Sequence, residues 1–210
     1  MIMSDPAIDI GLQTNNITIL YGSLPIIAVA IHNKERNTVE TAEKLHQEIG
    51  TYSFIYHGPR KTCWRGTQNA MYEVMDNMIT SYGSVGVISL HRRSDKIKVA
   101  EPKDKNFFEL GTLNDHSLDT LIKETFRKLL SNQGLVFDDN IRFDGGQEIR
   151  GIHRRYNNPD YVKGDKSSYD ASKNKVQIAQ LELNGSKPYI IEHYAIAKTL
   201  TDLGILVGIG

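Results

Sequence analysis

Residues 26–36 read IIAVAIHNKER. The unbroken apolar run from Ile26 to Ile31 fits a strand buried on both faces. It leads straight into His32, and Glu35 follows three positions later. An imidazole and a carboxylate are thereby placed at the carboxyl end of a strand, where open α/β sheets keep their ligands. A second stretch, SVGVISLH at 84–91, ends the same way at His91. Two strand-end histidines and one glutamate, His32, His91 and Glu35, suit an open zinc site that leaves a position for water or substrate. The same residues also admit a plainer reading, in which the histidines only mark strand ends and bond to loops.

Working outward, NITILYG (16–22) and TYSFIYHG (51–58) read as strands. Between them, ERNTVETAEKLHQEIG (35–50) reads as a helix, with Asn37 or Thr38 as cap and Gly50 as stop. GPRKTCWRGTQ (58–68) is polar and Gly/Pro-marked, hence a loop, and NAMYEVMDNMITSYG (69–83) is a helix with its methionines on one face. Residues 92–114 are polar and poorly periodic, with DKIKVAEP (95–102) as a short edge strand. HSLDTLIKETFRKLLSNQG (116–134) is the clearest helix, with Ser117 as candidate cap and Leu121 in its apolar stripe. The stretch 135–174 is rich in Gly, Asp, Asn and Ser, the composition of a long irregular segment that is either functional or disordered, and the sequence leaves open whether it closes over a ligand as a lid. VQIAQLELN (176–184) is a strand, and residues 189–206 form a closing helix. Alternating strands and helices imply an α/β fold with a mixed sheet between helices.

The bulk numbers agree. At 210 residues the chain reads as a single domain, 1–210, and 40% hydrophobic with 24% charged residues is enough for a sizeable core. The formal net charge is zero, so the electrostatic footprint of a nucleic-acid binder is missing. The N-terminus lacks a signal-peptide pattern and no apolar run is long enough to span a membrane. One cysteine, Cys63, rules out an internal disulfide. A soluble, cytoplasmic protein is expected.

Two further elements carry chemistry. Glu182 lies inside the strand VQIAQLELN, where a buried carboxylate needs a partner. Beside a metal it can act as a general base; on an exposed strand face it is simply a polar residue. RFDGGQEIRGIHRRYN (142–157) places Gly145 and Gly146 at a tight turn or close backbone approach, followed by Arg150, Arg154 and Arg155. Arginines suit bidentate recognition of a carboxylate, although such runs are also common on solvated loops. His46, His116 and His193 read as structural or surface residues.

Taken in order, AVAIHNKE, VISLHRR, RFDGGQEIRGIHRRY and IAQLELN resemble the N-formylglutamate amidohydrolase-like family, which includes the phage-type poly-γ-glutamate hydrolases. The resemblance spans Ile26 to Asn184. It implies a three-layer α/β/α fold with a mixed central sheet, of the phosphorylase/hydrolase type shared with zinc carboxypeptidases. It also implies Zn2+ held by His32, Glu35 and His91, with Glu182 as general base. Arg150 would grip a substrate carboxylate or stabilise the oxyanion, with Arg154 and Arg155 behind it. The reaction implied is hydrolysis of an amide on a glutamate-type substrate, N-acylated or γ-linked. This sequence departs from the family pattern in the turn after the first strand, which is Ile-His-Asn-Lys-Glu, and in having Ser89 and Leu90 rather than an acid ahead of His91. These departures bear on the substrate. A carboxypeptidase-like peptidase on the same fold is an alternative. A non-catalytic binding protein, with His57, Trp64 and the basic segments facing a partner, is another. The expected partner is a small molecule or peptide bearing a carboxylate, with neither nucleic acid nor membrane involved.

Overall fold

The computed structural model describes residues 10–14, 16–32, 35, 37–59, 63–93, 106–137 and 144–184. Its strands are β1 (Ile10–Thr14), β2 (Ile17–Leu20), β3 (Ile26–Ala30), β4 (Tyr52–Tyr56), β5 (Val85–Arg93), β6 (Asn106–Gly111), β7 (Leu135–Phe137) and β8 (Val176–Asn184). Its helices are α1 (Thr38–Ile49), α2 (Cys63–Tyr82), α3 (Thr120–Asn132) and α4 (Gln147–Tyr156). The strands form one mixed sheet in the order β1-β2-β4-β3-β5-β8-β6-β7. The centre, β4-β3-β5-β8, is parallel, whereas β2 joins β4 and β6 joins β8 antiparallel.

The apolar run of β3 explains the layering. In β3 every residue is buried, with Ile26, Ala28 and Ala30 facing one core and Ile27 and Val29 the other. Successive side chains of a strand alternate between faces, so a strand covered on both sides is apolar throughout. The first core receives Ala42 and Leu45 from α1 and Phe126 and Leu130 from α3. The second receives Met71, Met75 and Met78 from α2 and Ile149 and Ile152 from α4. The result is the three-layer α/β/α arrangement expected from the sequence. Each of the large apolar side chains so enclosed contributes about 1.5–3 kcal/mol relative to exposure.

Several local expectations are met and others corrected. Gly50 ends α1 in the left-handed conformation at φ 74°, which glycine adopts without a Cβ penalty. Helix α2 starts at Cys63, earlier than the polar composition of 58–68 implied. The reason is that Trp64 and Thr67 are buried and continue the stripe of Met71, Met75 and Met78 backward at helical spacing. Asp119, not Ser117, caps α3: its carboxylate accepts from the Leu121 and Ile122 amides at 2.8 and 3.2 Å. Ser117 instead donates to the carbonyl of Ile178 in β8. Leu121 is exposed, one position off the buried stripe. The stretch 135–174 is not wholly irregular, because it holds β7, α4 and a short 3-10 turn at Ala171–Lys173. The expected edge strand at 95–102, the closing helix at 189–206 and His193 lie outside the described residues. Among the described residues, no helix is long and apolar enough to cross a membrane.

Candidate active site

Strand order reverses at β3, with β4 on one side and β5 on the other. Such a reversal opens a crevice at the carboxyl ends of the parallel strands. His32 follows β3 at this edge of the sheet, and the Glu35 amide donates back to the His32 carbonyl at 2.8 Å. Thr38 donates its hydroxyl to the Glu35 carbonyl at 3.0 Å. His91 lies near the end of β5, two residues past the pairing of Val29 with Ser89. The three side chains converge. His32 Nδ1 is 3.1 Å from Glu35 Oε1, His91 Nδ1 is 3.3 Å from Glu35 Oε2, and one ligand atom from each residue lies within 4.8 Å of the others. The two imidazole rings meet edge to face at 4.8 Å.

The donor set fits a zinc-type ion. Two imidazoles and a carboxylate are borderline-soft ligands of the kind that ion takes, and bonds of about 2.0–2.1 Å place tetrahedral ligand atoms roughly 3.4 Å apart. The separations to Glu35 are close to that value. The Arg92 amide donates to Glu35 Oε2 at 3.0 Å and fixes the carboxylate in place.

Glu182 reaches the site through register. In β8 it pairs directly with His91 of β5, and on its other side with Glu109 of β6. Three ionisable residues thus stand abreast on the face covered by α2 and α4, all buried. Glu182 Oε1 lies 4.0 Å from His91 Nδ1 and accepts from Gln180 Nε2 at 2.6 Å. Gln180 in turn takes the amide of Gly146, so the Gly-Gly turn is tied to the Glu182 strand. Gly145 sits at φ 104°, a backbone conformation that L side chains rarely adopt, and a Cβ there would lie 2.6 Å from Leu113.

The electrostatics separate the carboxylates. Burial alone would raise Glu35, but the hydrogen bond and charge of His91, the charge of His32 and the Arg92 amide outweigh it and hold the carboxyl below its usual range. Burial raises Glu182, and nearby Glu35 and Glu109 add to the effect against the opposing pull of His91 and Gln180. One carboxylate is therefore held ionised while the other is made more basic, the division that sets a ligand apart from a proton acceptor. Burial pushes His91 down, and Glu148, Glu35 and Glu182 together outweigh it and raise the imidazole to about 10.

The arginines go to three places. Arg150 donates through Nη1 to the Gly145 carbonyl at 2.8 Å and stays beside the Gly-Gly turn. Arg154 donates through Nε to the Tyr161 carbonyl at 2.7 Å. Arg155 pairs with Asp76 of α2 at 3.1 Å, and its guanidinium carbon lies 4.3 Å from the Tyr72 ring centroid. At 1.5 Å per residue, Arg155 is roughly 10 Å along α4 from Glu148. Trp64 is buried against α4 and Tyr72, as part of the core.

Two buried carboxylates escaped the sequence reading, Glu109 and Glu148. Glu148 was detectable. Glu148, Ile149, Ile152 and His153 recur at helical spacing directly after Gly146, and they are the buried face of α4. Two of the four are polar, which hides the amphipathic pattern.

No protein-family model and no curated protein sequence matches the chain. Among solved structures, N-formylglutamate amidohydrolase from Ralstonia eutropha JMP134 is similar at a TM-score of 0.67 and 10% identity, over 91% of this chain and 98% of that one. A bacteriophage poly-γ-glutamate hydrolase is similar at a TM-score of 0.53 and 14% identity, over 91% of this chain and 90% of that one. The likeness at these identities is one of fold. This chain has the α/β/α fold of N-formylglutamate amidohydrolase and of the phage poly-γ-glutamate hydrolase.

Proposed function

We propose that the protein is a zinc-dependent amidohydrolase acting on a glutamate-type amide, either an N-acylglutamate or a γ-glutamyl linkage. The observation that carries this reading is the convergence of His32, Glu35 and His91 at the strand-order reversal, with Glu182 in register beside His91. The names of the two proteins that share the fold point to the same substrate class.

His32, Glu35 and His91 would hold the ion. When bound, zinc supplies a Lewis acid that polarises the scissile carbonyl and acidifies water. Glu182, made more basic by its buried setting, takes a proton from the attacking water as the new C–O bond forms. As the C–N bond breaks, it returns that proton to the departing amine, so that a carboxylate and an amine leave the site. Arg150 is the residue proposed to grip the substrate carboxylate: one guanidinium nitrogen is anchored on Gly145, and the remaining donors would supply the fork that a planar acid accepts. Gly145 and Gly146 are proposed to offer their backbone to the substrate from the turn that holds Arg150, the space a Cβ would take at each being filled by Leu113 and by the Glu148 carboxylate. A cytoplasmic setting and a carboxylate-bearing small molecule or peptide as partner belong to the same proposal.

The test is elemental analysis of purified protein, wild type beside His32→Ala and His91→Ala. About one zinc per chain, lost in both variants, is expected. Turnover of N-acylglutamates or γ-glutamyl peptides by the loaded wild type then follows. A folded, metal-replete wild type without zinc refutes the proposal.

A further inference from the structure

Glu148 has no place in the ligand set, yet it is buried at the site and costly to bury without a partner. Its partner is the far side of His91. Glu148 Oε1 lies 3.0 Å from His91 Nε2 and accepts from the Ser89 hydroxyl at 3.2 Å. The Ser89 oxygen is itself 3.0 Å from the same Nε2. The other ring nitrogen, Nδ1, faces Glu35 at 3.3 Å and Glu182 at 4.0 Å. The His91 ring therefore stands between two acidic environments, and only Nδ1 faces the ligand cluster.

A neutral imidazole carries one N–H and one lone pair, and the partner of one nitrogen decides the state of the other. We propose that Glu148 is the positioning residue for His91: it takes the Nε2–H hydrogen bond and so turns the Nδ1 lone pair toward His32 and Glu35. Ser89 completes a triangle, with its hydroxyl donating to Glu148 and its oxygen facing Nε2–H. A carboxylate behind a metal-binding histidine fixes the ring orientation and makes the ligand more basic, which is worth about 10–100-fold in metal affinity. The sequence places this acid at the second residue of α4, immediately after the Gly-Gly turn that is tied to Gln180 and the Glu182 strand. Helix α4 thereby sets the orientation of a ligand that belongs to β5. This inference rests on the metal reading above.

The experiment measures zinc affinity by competition with a chromophoric chelator for wild type, Glu148→Gln and Ser89→Asp/Glu148→Gln, with thermal melts of each metal-free protein. In parallel, nitrogen-15 spectra of histidine-labelled, zinc-loaded protein report which ring nitrogen of His91 carries the proton. Glu148→Gln is expected to lose about 10–100-fold in zinc affinity. The double variant, whose new carboxylate starts from a side chain already beside Nε2, is expected to recover most of that loss. The wild-type spectrum should show His91 protonated at Nε2. A purely structural Glu148 would lower the melting temperature in Glu148→Gln and leave the zinc affinity of the folded protein unchanged, and that result overturns the inference. A loss that the double variant does not recover overturns it too, and if Glu148→Gln does not fold, the double variant decides alone. Wild type that binds no zinc is a separate failure, that of the metal reading itself.

Discussion

Replacing Gly151 by alanine sets two effects of known size against each other. Gly151 lies inside α4, where alanine is favoured over glycine by about 1 kcal/mol on helix propensity. A Cβ at this position, however, would stand 2.9 Å from Trp64 Cζ2, 3.1 Å from Nε1 and 3.2 Å from Cε2. Comfortable carbon contacts lie near 3.5–4.0 Å. All three atoms belong to one rigid indole, so no flexible side-chain end can yield. Trp64 is itself buried and packed edge to face on Tyr72 at 6.0 Å. Overpacking of this kind costs about 1–3 kcal/mol, so a net loss of about 1 kcal/mol is expected. For a domain of this size that lowers the melting temperature by about 2–4 °C. The assay is thermal and urea unfolding of Gly151→Ala, Trp64→Phe and the pair. The smaller Phe ring should relieve the clash, so the double variant should be more stable than the sum of the single effects by about 1 kcal/mol. A Gly151→Ala protein stabilised by the full propensity gain would refute the close packing of α4 on α2.

Glu182→Gln should lower turnover by about 10²–10⁴-fold while zinc content stays at the wild-type level. The melting temperature should hold or rise, because a buried carboxylate with two acidic neighbours is removed; loss of zinc in this variant would contradict its assignment as the base. Acid sensitivity should trace partly to His153. This side chain is 0% exposed, and burial, with a contribution from His116, lowers its pKa to about 4. In the unfolded chain it titrates near 6.5, so between those values the unfolded state binds a proton that the folded state refuses. The stabilisation is complete above pH 6.5 and is lost as pH falls toward 4. Urea titrations at pH 7 and 4.5 should show wild type losing roughly 2–3 kcal/mol more than His153→Gln, and equal losses would refute the assignment.

The parts of the molecule legible in the sequence are those decided by local pattern. The doubly buried β3 and β5, the β8 strand and α1 with its glycine stop were all readable. So was the meeting of His32, Glu35 and His91, because strand ends of a parallel sheet share one edge. What could not be read depends on side chains that are buried for reasons other than hydrophobicity. Helix α4 buries Glu148 and His153 beside Ile149 and Ile152, so its helical period does not show in the apolar residues alone. Strand β6 is short and carries Glu109 on a buried face, which looks like a polar position until β8 is seen to lie beside it. Composition alone does not separate the arginines after Gly-Gly; only the family resemblance put Arg150 first. Helical geometry separates them, leaving Arg150 at the turn and sending Arg155 toward α2.

The place of β8 in the sheet has a consequence for how the protein comes into being. This strand lies between β5 and β6, parallel to one and antiparallel to the other, yet it follows both in the chain. Its pairing with β5 joins residues roughly 90 positions apart, the kind of contact that loop-closure entropy makes late and slow. On the ribosome the half-sheet carrying His32 and His91 is synthesised well before the strand that brings Glu182 between its neighbours. A chain collapsed around β3, β4 and β5 would already hold the histidines and Glu35 but not Glu182. Assembly of the His32, Glu35 and His91 cluster and arrival of Glu182 are therefore separable events in refolding, with insertion of β8 as the step between them.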